Sequence, residues 1–290
     1  MAGIFAPEVI TSIAYSQWLF ARALVKHMEE NGWINATMIE AHFLSMRGVA
    51  VRNKVEDRIR IGQTHLTPSD VVGSLEFRAA FPSKATIQDK SKTELIGKLS
   101  TCTQILWLLI QVLGRKLQGD SVSLLEVTTI SYVVLAMATF IFWWQKPKDI
   151  EEPCFVDVEL DVHEEPERIL SWWRDFGRPR GTSTFAAYIS SACFSAIHCA
   201  AWNYQFPTTT EKWLWRGSSI ACFVAPVTFI TMATVVPGDL IFNSLRARII
   251  LGSYAVARMF LLVESFAAFR AAPASIYNTV QWAEYVAHWG

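Results

Sequence analysis

Apolar residues in this chain gather into long runs separated by polar stretches, and the runs have the length of membrane-crossing helices. A bilayer core of about 30 Å needs roughly 20 helical residues. Five runs reach or approach that length: Leu99–Gly114, Val122–Trp144, Phe185–Trp202, Gly217–Val236 and Ile249–Ala268. The first is short by itself, but Ser91-Lys92-Thr93-Glu94 ahead of it has the capping-box pattern, so its helix is predicted to begin one or two turns earlier. Gly114-Arg115 and Gly119-Asp120 mark the turn to the second helix, and Trp143-Trp144 followed by Lys146-Pro147 reads as an interfacial stop. Trp202 to Pro207 ends the third run.

The opening segment Ile4–Val25 is apolar too, but Glu8 and Arg22 leave thirteen uncharged residues between them. It either crosses with its charged ends snorkelling or lies flat on the surface. Two polar stretches carry period-two alternation, the mark of a half-buried strand. These are Arg58-Ile59-Arg60-Ile61 and Val156 to Val162, where Asp157, Glu159 and Asp161 alternate with apolar residues. Opposite charges facing each other across a strand pair stabilise it, so the two segments are predicted to pair directly in a small sheet.

The expected fold class is therefore an all-α membrane protein: a bundle of five transmembrane helices, six if the N-terminal segment also crosses, with a cytosolic segment of helical pieces and a small β element. The domain boundaries that follow are an N-terminal helix over 1–25, a polar cytosolic segment over 26–98 and a transmembrane hairpin over 99–144. A cytosolic loop over 145–184 then leads to three transmembrane helices and a short luminal tail over 185–290. No internal repeat is visible, and an odd number of spans does not divide into the paired halves of many transporters.

Charge sets the orientation. The segment Lys26–Lys98, the 145–183 loop and the Arg246, Arg248 turn hold nineteen Lys and Arg, against five on the opposite side (Arg115, Lys116, Lys212, Arg216 and Arg270). By the positive-inside rule the richer side faces the cytosol. The sequon Asn35-Ala36-Thr37 then lies on the side where it is not glycosylated.

Composition agrees with the membrane class: 52% of residues are hydrophobic, with twelve Trp and eighteen Phe, and mean hydropathy is +0.25. Basic and acidic residues balance at 26 each, which gives no ground for a nucleic-acid partner. Of five cysteines, Cys102, Cys193, Cys199 and Cys222 lie in apolar runs, so no disulfide framework is implied. The N-terminus lacks the basic region and cleavage site of a signal peptide and is read as part of the mature protein.

Ionisable side chains inside spans cost about 2.5–3.5 kcal/mol at mid-helix, so each needs a partner or a function. Glu126, His198, Arg258 and Glu264 are the ones that stand out. Counting residues from the helix ends puts Glu126, His198 and Glu264 at a similar depth, with Arg115 and Arg216 flanking that level. Glu126, His198 and Glu264 are thus the candidate acid–base residues, and Arg115, Arg216 and Arg258 their candidate charge partners. The competing reading is a set of satisfied pairs that fix helix register. Arg258, with Tyr254 and Ser265 on its own face, is read as a hydrogen-bonded structural residue. Thr101, Gln104, Gln111 and Arg115 in the first span, and Ser191, Ser195 and His198 in the third, form stripes predicted to face the bundle interior.

No cofactor or metal is expected. His198 is the one histidine within the five runs, so a haem or helix-borne metal site lacks its ligands. The serine-hydrolase elbow, the phosphate loop and the HExxH zinc motif are all absent from the sequence. The aspartate of Pro237-Gly238-Asp239 has no second aspartate at matching depth, as an intramembrane aspartyl site would need.

Several short motifs together resemble a large, mostly uncharacterised family of fungal multi-pass membrane proteins. They are Phe5-Ala6-Pro7-Glu8 with Gln17-Trp18, Ile87 to Lys92, Leu125-Glu126-Val127-Thr128-Thr129 and Trp143 to Pro147. Ile197-His198-Cys199 with Trp202, and Phe206-Pro207 with Glu211 and Leu214-Trp215-Arg216, follow, and Ala257-Arg258, Val263-Glu264-Ser265-Phe266, Arg270, Tyr277 and Val280-Gln281-Trp282 complete the pattern. The chain departs from it at Arg47-Gly48, where the family commonly has Gly-Gly. The resemblance implies shared use of Glu126, His198, Arg216 and Glu264 without assigning them a reaction. Three function classes follow. The leading one is an accessory component of a membrane-associated, secondary-metabolite pathway, with the lipid bilayer and membrane-bound pathway enzymes as partners. The others are a membrane-embedded isomerase or cyclase for an apolar small molecule and, third, a transporter or channel. The endoplasmic reticulum and the plasma membrane both suit such a protein.

Overall fold

In the computed structural model, residues 6–46, 48–53, 58–60, 72–89, 93–147, 154–158, 182–235, 244–278 and 280 are described. Their helices are α1 (Pro7–Glu30), α2 (Met38–Ser45), α3 (Leu75–Ala80), α4 (Lys84–Asp89), α5 (Thr93–Leu117), α6 (Leu124–Phe142), α7 (Thr182–Cys199), α8 (Thr209–Val235) and α9 (Leu245–Ala267). Each of the five apolar runs falls on one of the helices α5 to α9. Among the described residues, three helical stretches are long and apolar enough to cross a membrane: Leu124–Phe142, Thr209–Ala233 and Leu245–Ala271. The other two runs fall short for separate reasons. On α5, Lys98, Gln104 and Gln111 dilute the apolar surface, and α7 offers a shorter apolar helix over Thr184–Cys199. The capping-box residues Ser91 and Lys92 lie outside the described residues.

The chain divides into two compact units, with the division falling inside α1, α5, α6 and the first turn of α7. The first comprises Met1–Ser12, Ser100–Ala138 and Thr184–Gly290. Its core joins Leu124, Leu135, Phe194, Trp215, Cys222, Ala257 and Leu261. Helices α8 and α9 pack along one another in it. Pro226 sits inside α8 and removes one of its backbone hydrogen bonds.

The second unit comprises Ile13–Leu99 and Thr139–Ser183. Phe20, Leu24 and Met28 of α1 supply one side of its core, and Trp33, Ala41, Val72, Phe77 and Val156 supply the rest. The apolar spacing 20, 24, 28 is one face of a helix, so the inner half of α1 is an amphipathic helix on a protein core. Trp33 completes the packing and donates its indole N–H to the Val72 carbonyl at 2.9 Å. Helix α2 opens on a capping box in which the Thr37 hydroxyl and Glu40 carboxylate satisfy each other's backbone N–H groups. The sequon threonine is thereby part of a helix start, with Asn35 just before it at φ 58°.

A three-stranded sheet of order β2-β1-β3 belongs to the same unit, with β1 at Val49–Asn53, β2 at Arg58–Arg60 and β3 at Cys154–Val158. This corrects the expected direct pairing of the Arg58 and Asp157 segments. Strand β1 lies between them, antiparallel to β2 with Arg52 opposite Ile59, and parallel to β3 with Arg52 opposite Asp157. Both outer segments are strands, but β1 is the strand that joins them. Glu159 and Asp161, part of that expectation, lie outside the described residues. Gly48 is required at the start of β1: a Cβ there would stand 2.5–2.8 Å from ring carbons of the fully buried Phe43. Its carbonyl accepts the Cys154 N–H at 2.8 Å, which starts the β1–β3 pairing.

Candidate functional site

The most buried charged groups of the first unit are Glu8 of α1 and Arg258 of α9, 2% and 3% exposed. Their side chains meet at 2.5 Å, Arg258 Nη2 donating to Glu8 Oε2. Tyr254, one turn before Arg258, donates its hydroxyl to Glu8 Oε1 and accepts from Arg258 Nε at 2.9 Å. Both carboxylate oxygens of Glu8 are thus occupied. The guanidinium also stacks on Phe194, 3.3 Å from the ring centroid, with Tyr132 edge-on to the same ring. A cation desolvated against an aromatic face gains about 2 kcal/mol or more there, so the ring partly replaces lost water. Arg258 Nη1 has no hydrogen-bond partner among the described residues.

A ring stack continues from this point. His198 lies 4.3 Å from Phe194 and 5.6 Å from Trp215, and Trp215 in turn packs on Phe206. His198 Nδ1 is 2.9 Å from the Phe194 carbonyl, one helical turn back, which fixes that nitrogen as the donor. Nε2 is then the acceptor, buried and without a partner among the described residues. Ser195 donates to the Ser219 carbonyl, and Trp215 Nε1 donates to the His198 carbonyl at 3.2 Å. Ser191, Ser195 and His198 are all buried, as their stripe predicted. The stripe on α5 fares differently: Gln104 is exposed, on a helix that also exposes Leu106, Trp107, Ile110 and Leu113. Helical spacing alone fixes a shared face and leaves open what covers it.

The remaining predicted residues form separate pairs. Arg115 Nη1 donates to Glu126 Oε1 at 2.9 Å, and its Nη2 donates to the carbonyls of Ser121 and Ser275 at 2.9 and 3.2 Å. The other Glu126 oxygen accepts the Ser123 N–H at 2.7 Å and the Ser123 hydroxyl at 2.9 Å. Glu126 is therefore both an ion-pair partner and the returning arm of a helix-start cap. Arg216 donates to the Trp202 carbonyl through Nε and Nη2, at 3.1 and 3.0 Å, and stacks on the Trp202 and Trp213 rings. Arg270 pairs with Glu211. Glu264 is buried with Oε1 unpartnered. No hydrogen bond or ion pair links Glu126, His198 and Glu264 to one another among the described residues.

Tyr204, in the turn after α7, has its phenol pKa pushed up by burial, with the Glu126 carboxylate and Tyr277 adding to the shift. No three metal-ligating side chains gather at one point among the described residues. Sequence reading missed Glu8 as a site residue because it stands near the chain's start, where a charge reads as a snorkelling end. A usable signal was present: Arg258 is a mid-helix cation, and such a cation demands an acid from some other element.

No curated protein and no solved structure matches the chain. A family model does, over residues 1–166 and 240–289, taking in Glu8, Glu126, Arg258 and Glu264. The chain belongs to that family, a family of unknown function (DUF8562).

Proposed function

We propose that this protein is a multi-pass integral membrane component of accessory, non-catalytic type, with five helices crossing the bilayer and the 26–98 and 145–184 segments in the cytosol. In this reading it supports a pathway whose apolar intermediates and enzymes share the membrane. The observation that carries it is the Glu8–Arg258–Tyr254 cluster, in which both carboxylate oxygens of Glu8 are taken, one by Arg258 and one by Tyr254, and Arg258 also donates to Tyr254. Glu126 is engaged in the same way by Arg115 and Ser123. An acid held at both oxygens by fixed donors serves helix register rather than proton delivery. In lipid, where helices have no hydrophobic drive to associate, such polar contacts select the partner helix.

The test is membrane integration followed by topology. Alkaline carbonate should leave the protein in the membrane pellet, and protease added from the cytosolic side should cut within 26–98 and 145–184. Cleavage or labelling of the Arg115–Asp120 turn from that side would overturn the orientation, and extraction by carbonate would overturn integration.

One observation favours an enzyme: His198 Nε2 and Glu264 Oε1 are buried polar atoms without hydrogen-bond partners among the described residues. Reconstitution with candidate pathway enzymes, using His198→Gln and Glu264→Gln singly, decides between the two. Loss of product with unchanged membrane folding selects the isomerase or cyclase reading, and retained product selects the accessory one.

A further inference from the structure

Within the second unit, three tryptophans stand together with three cations. Arg22 lies over the Trp18 ring at 4.7 Å, Lys146 over Trp143 at 4.7 Å and Lys98 over Trp144 at 5.6 Å. Each ring holds its cation in place from behind. Other contacts fix the group further: Lys98 Nζ donates to the Trp144 carbonyl at 2.8 Å, and Gln17 Oε1 accepts from both Lys146 Nζ and Trp143 Nε1, at 2.8 and 3.0 Å. Arg22 and Lys146 form no ion pair with a carboxylate among the described residues.

Beside these cations runs a cleft of about 310 Å³ lined by Trp18, Ile141, Phe142, Trp144 and Gln145. Its walls are mostly apolar, and Ile141 and Trp144 are 66% and 45% exposed. Packing of Tyr15 and Trp18 against Phe142, with ring centroids 5.0 and 5.9 Å apart, gives the cleft a rigid floor. The volume is at the lower end of small-molecule sites, which begin near 300 Å³. An apolar cleft whose lining residues Trp18 and Trp144 carry Arg22 and Lys98 on their rings, with Lys146 next in sequence to the lining Gln145, matches an amphiphile that carries a negative head and a hydrocarbon tail. A zwitterionic head fits less well, because the ring faces that would receive its ammonium already hold cations.

We propose that this cleft is a binding site for one anionic glycerophospholipid. Its phosphate rests against Arg22 and Lys146, and the first carbons of an acyl chain lie against Trp18, Ile141 and Phe142. The inference rests on the reading of the chain as membrane-embedded. It goes beyond that reading by naming a lipid class and the residues that select it. The cytosolic leaflet is where anionic lipids are concentrated, and basic pockets between helices on that side are suited to their head groups.

The experiment is native mass spectrometry of the full-length protein released from phosphatidylcholine vesicles doped with phosphatidylserine. The variants are Arg22→Gln/Lys146→Gln, Trp18→Leu and, as a control of equal charge loss, Arg246→Gln/Arg248→Gln, both exposed in α9. The unaltered protein should retain phosphatidylserine in preference to phosphatidylcholine. The Arg22/Lys146 variant should lose that preference by roughly tenfold, Trp18→Leu should weaken it, and the control should keep it. Equal loss in the control would reduce the effect to bulk charge and end the proposal. Absence of any preference, or displacement of the lipid by inorganic phosphate alone, would end it too. Carbonate extraction of each variant is run alongside. A protein that stays in the membrane without lipid preference refutes this site only, whereas one that is extracted refutes the membrane reading beneath it.

Discussion

Glu8 and Arg258 stand 250 residues apart in sequence and 2.5 Å apart in space, in an environment almost closed to solvent. Removing one partner leaves the other as an uncompensated buried charge, at about 3–5 kcal/mol. Glu8→Gln and Arg258→Met should each lower the melting temperature of the detergent-solubilised protein sharply. The double variant should recover part of the loss, because no bare charge remains. A double variant as unstable as the sum of the singles would show that the two residues do not interact.

His42 offers a test by pH in the second unit. Its imidazole is buried, and neither nitrogen has a hydrogen-bond partner among the described residues. Burial, with the nearby Lys146 cation adding to it, lowers its pKa from 6.5 to about 4. As pH falls the unfolded chain takes up the proton first, so the stability present above pH 6.5 declines down to about 4, by about 3 kcal/mol in all. His42→Leu should flatten that decline, followed by tryptophan fluorescence during thermal unfolding at a series of pH values. Parallel curves for the two proteins would remove His42 as the cause.

Gly48→Ala should destabilise the second unit by about 1–3 kcal/mol, since the new methyl overlaps a ring that has no room to withdraw. Adding Phe43→Leu should relieve much of this by vacating the space. Thermal unfolding of the single and double variants measures it, and a neutral Gly48→Ala would show that the strand start can shift.

The strand order is open to crosslinking. Cysteines introduced at 52 and 59 occupy opposed positions on β1 and β2 and should form a disulfide on oxidation. A pair at 59 and 158 is separated by the width of β1 and should not. The reverse pattern would restore direct pairing of the outer strands.

Helix positions were legible in the sequence because lipid-length apolar runs dominate every local signal, and α5 to α9 fall where those runs lie. Strand β1 was not legible. Val49–Asn53 shows no sustained alternation, and its place between β2 and β3 depends on a partner a hundred residues away. Arg258 was read as a hydrogen-bonded structural residue with Tyr254 and Ser265 on its own face, and it donates to Tyr254. Ser265, expected beside it, hydrogen-bonds Thr128 instead at 2.6 Å. Glu126 with Arg115 was within reach of sequence reasoning, because a short turn between consecutive helices brings them together. Glu8 was not, since periodicity gives the face of a helix without naming the element that covers it.

The separation of Glu8 from Arg258 also imposes an order of events on biogenesis. At translation rates of about 5–20 residues per second, Arg258 emerges roughly 12–50 s after Glu8. For that interval the first helix carries a carboxyl group with no guanidinium to receive it, so α1 cannot take its final seat until the last helix has been made. Until then the Glu8 carboxyl needs water or another donor in the place that Arg258 later takes.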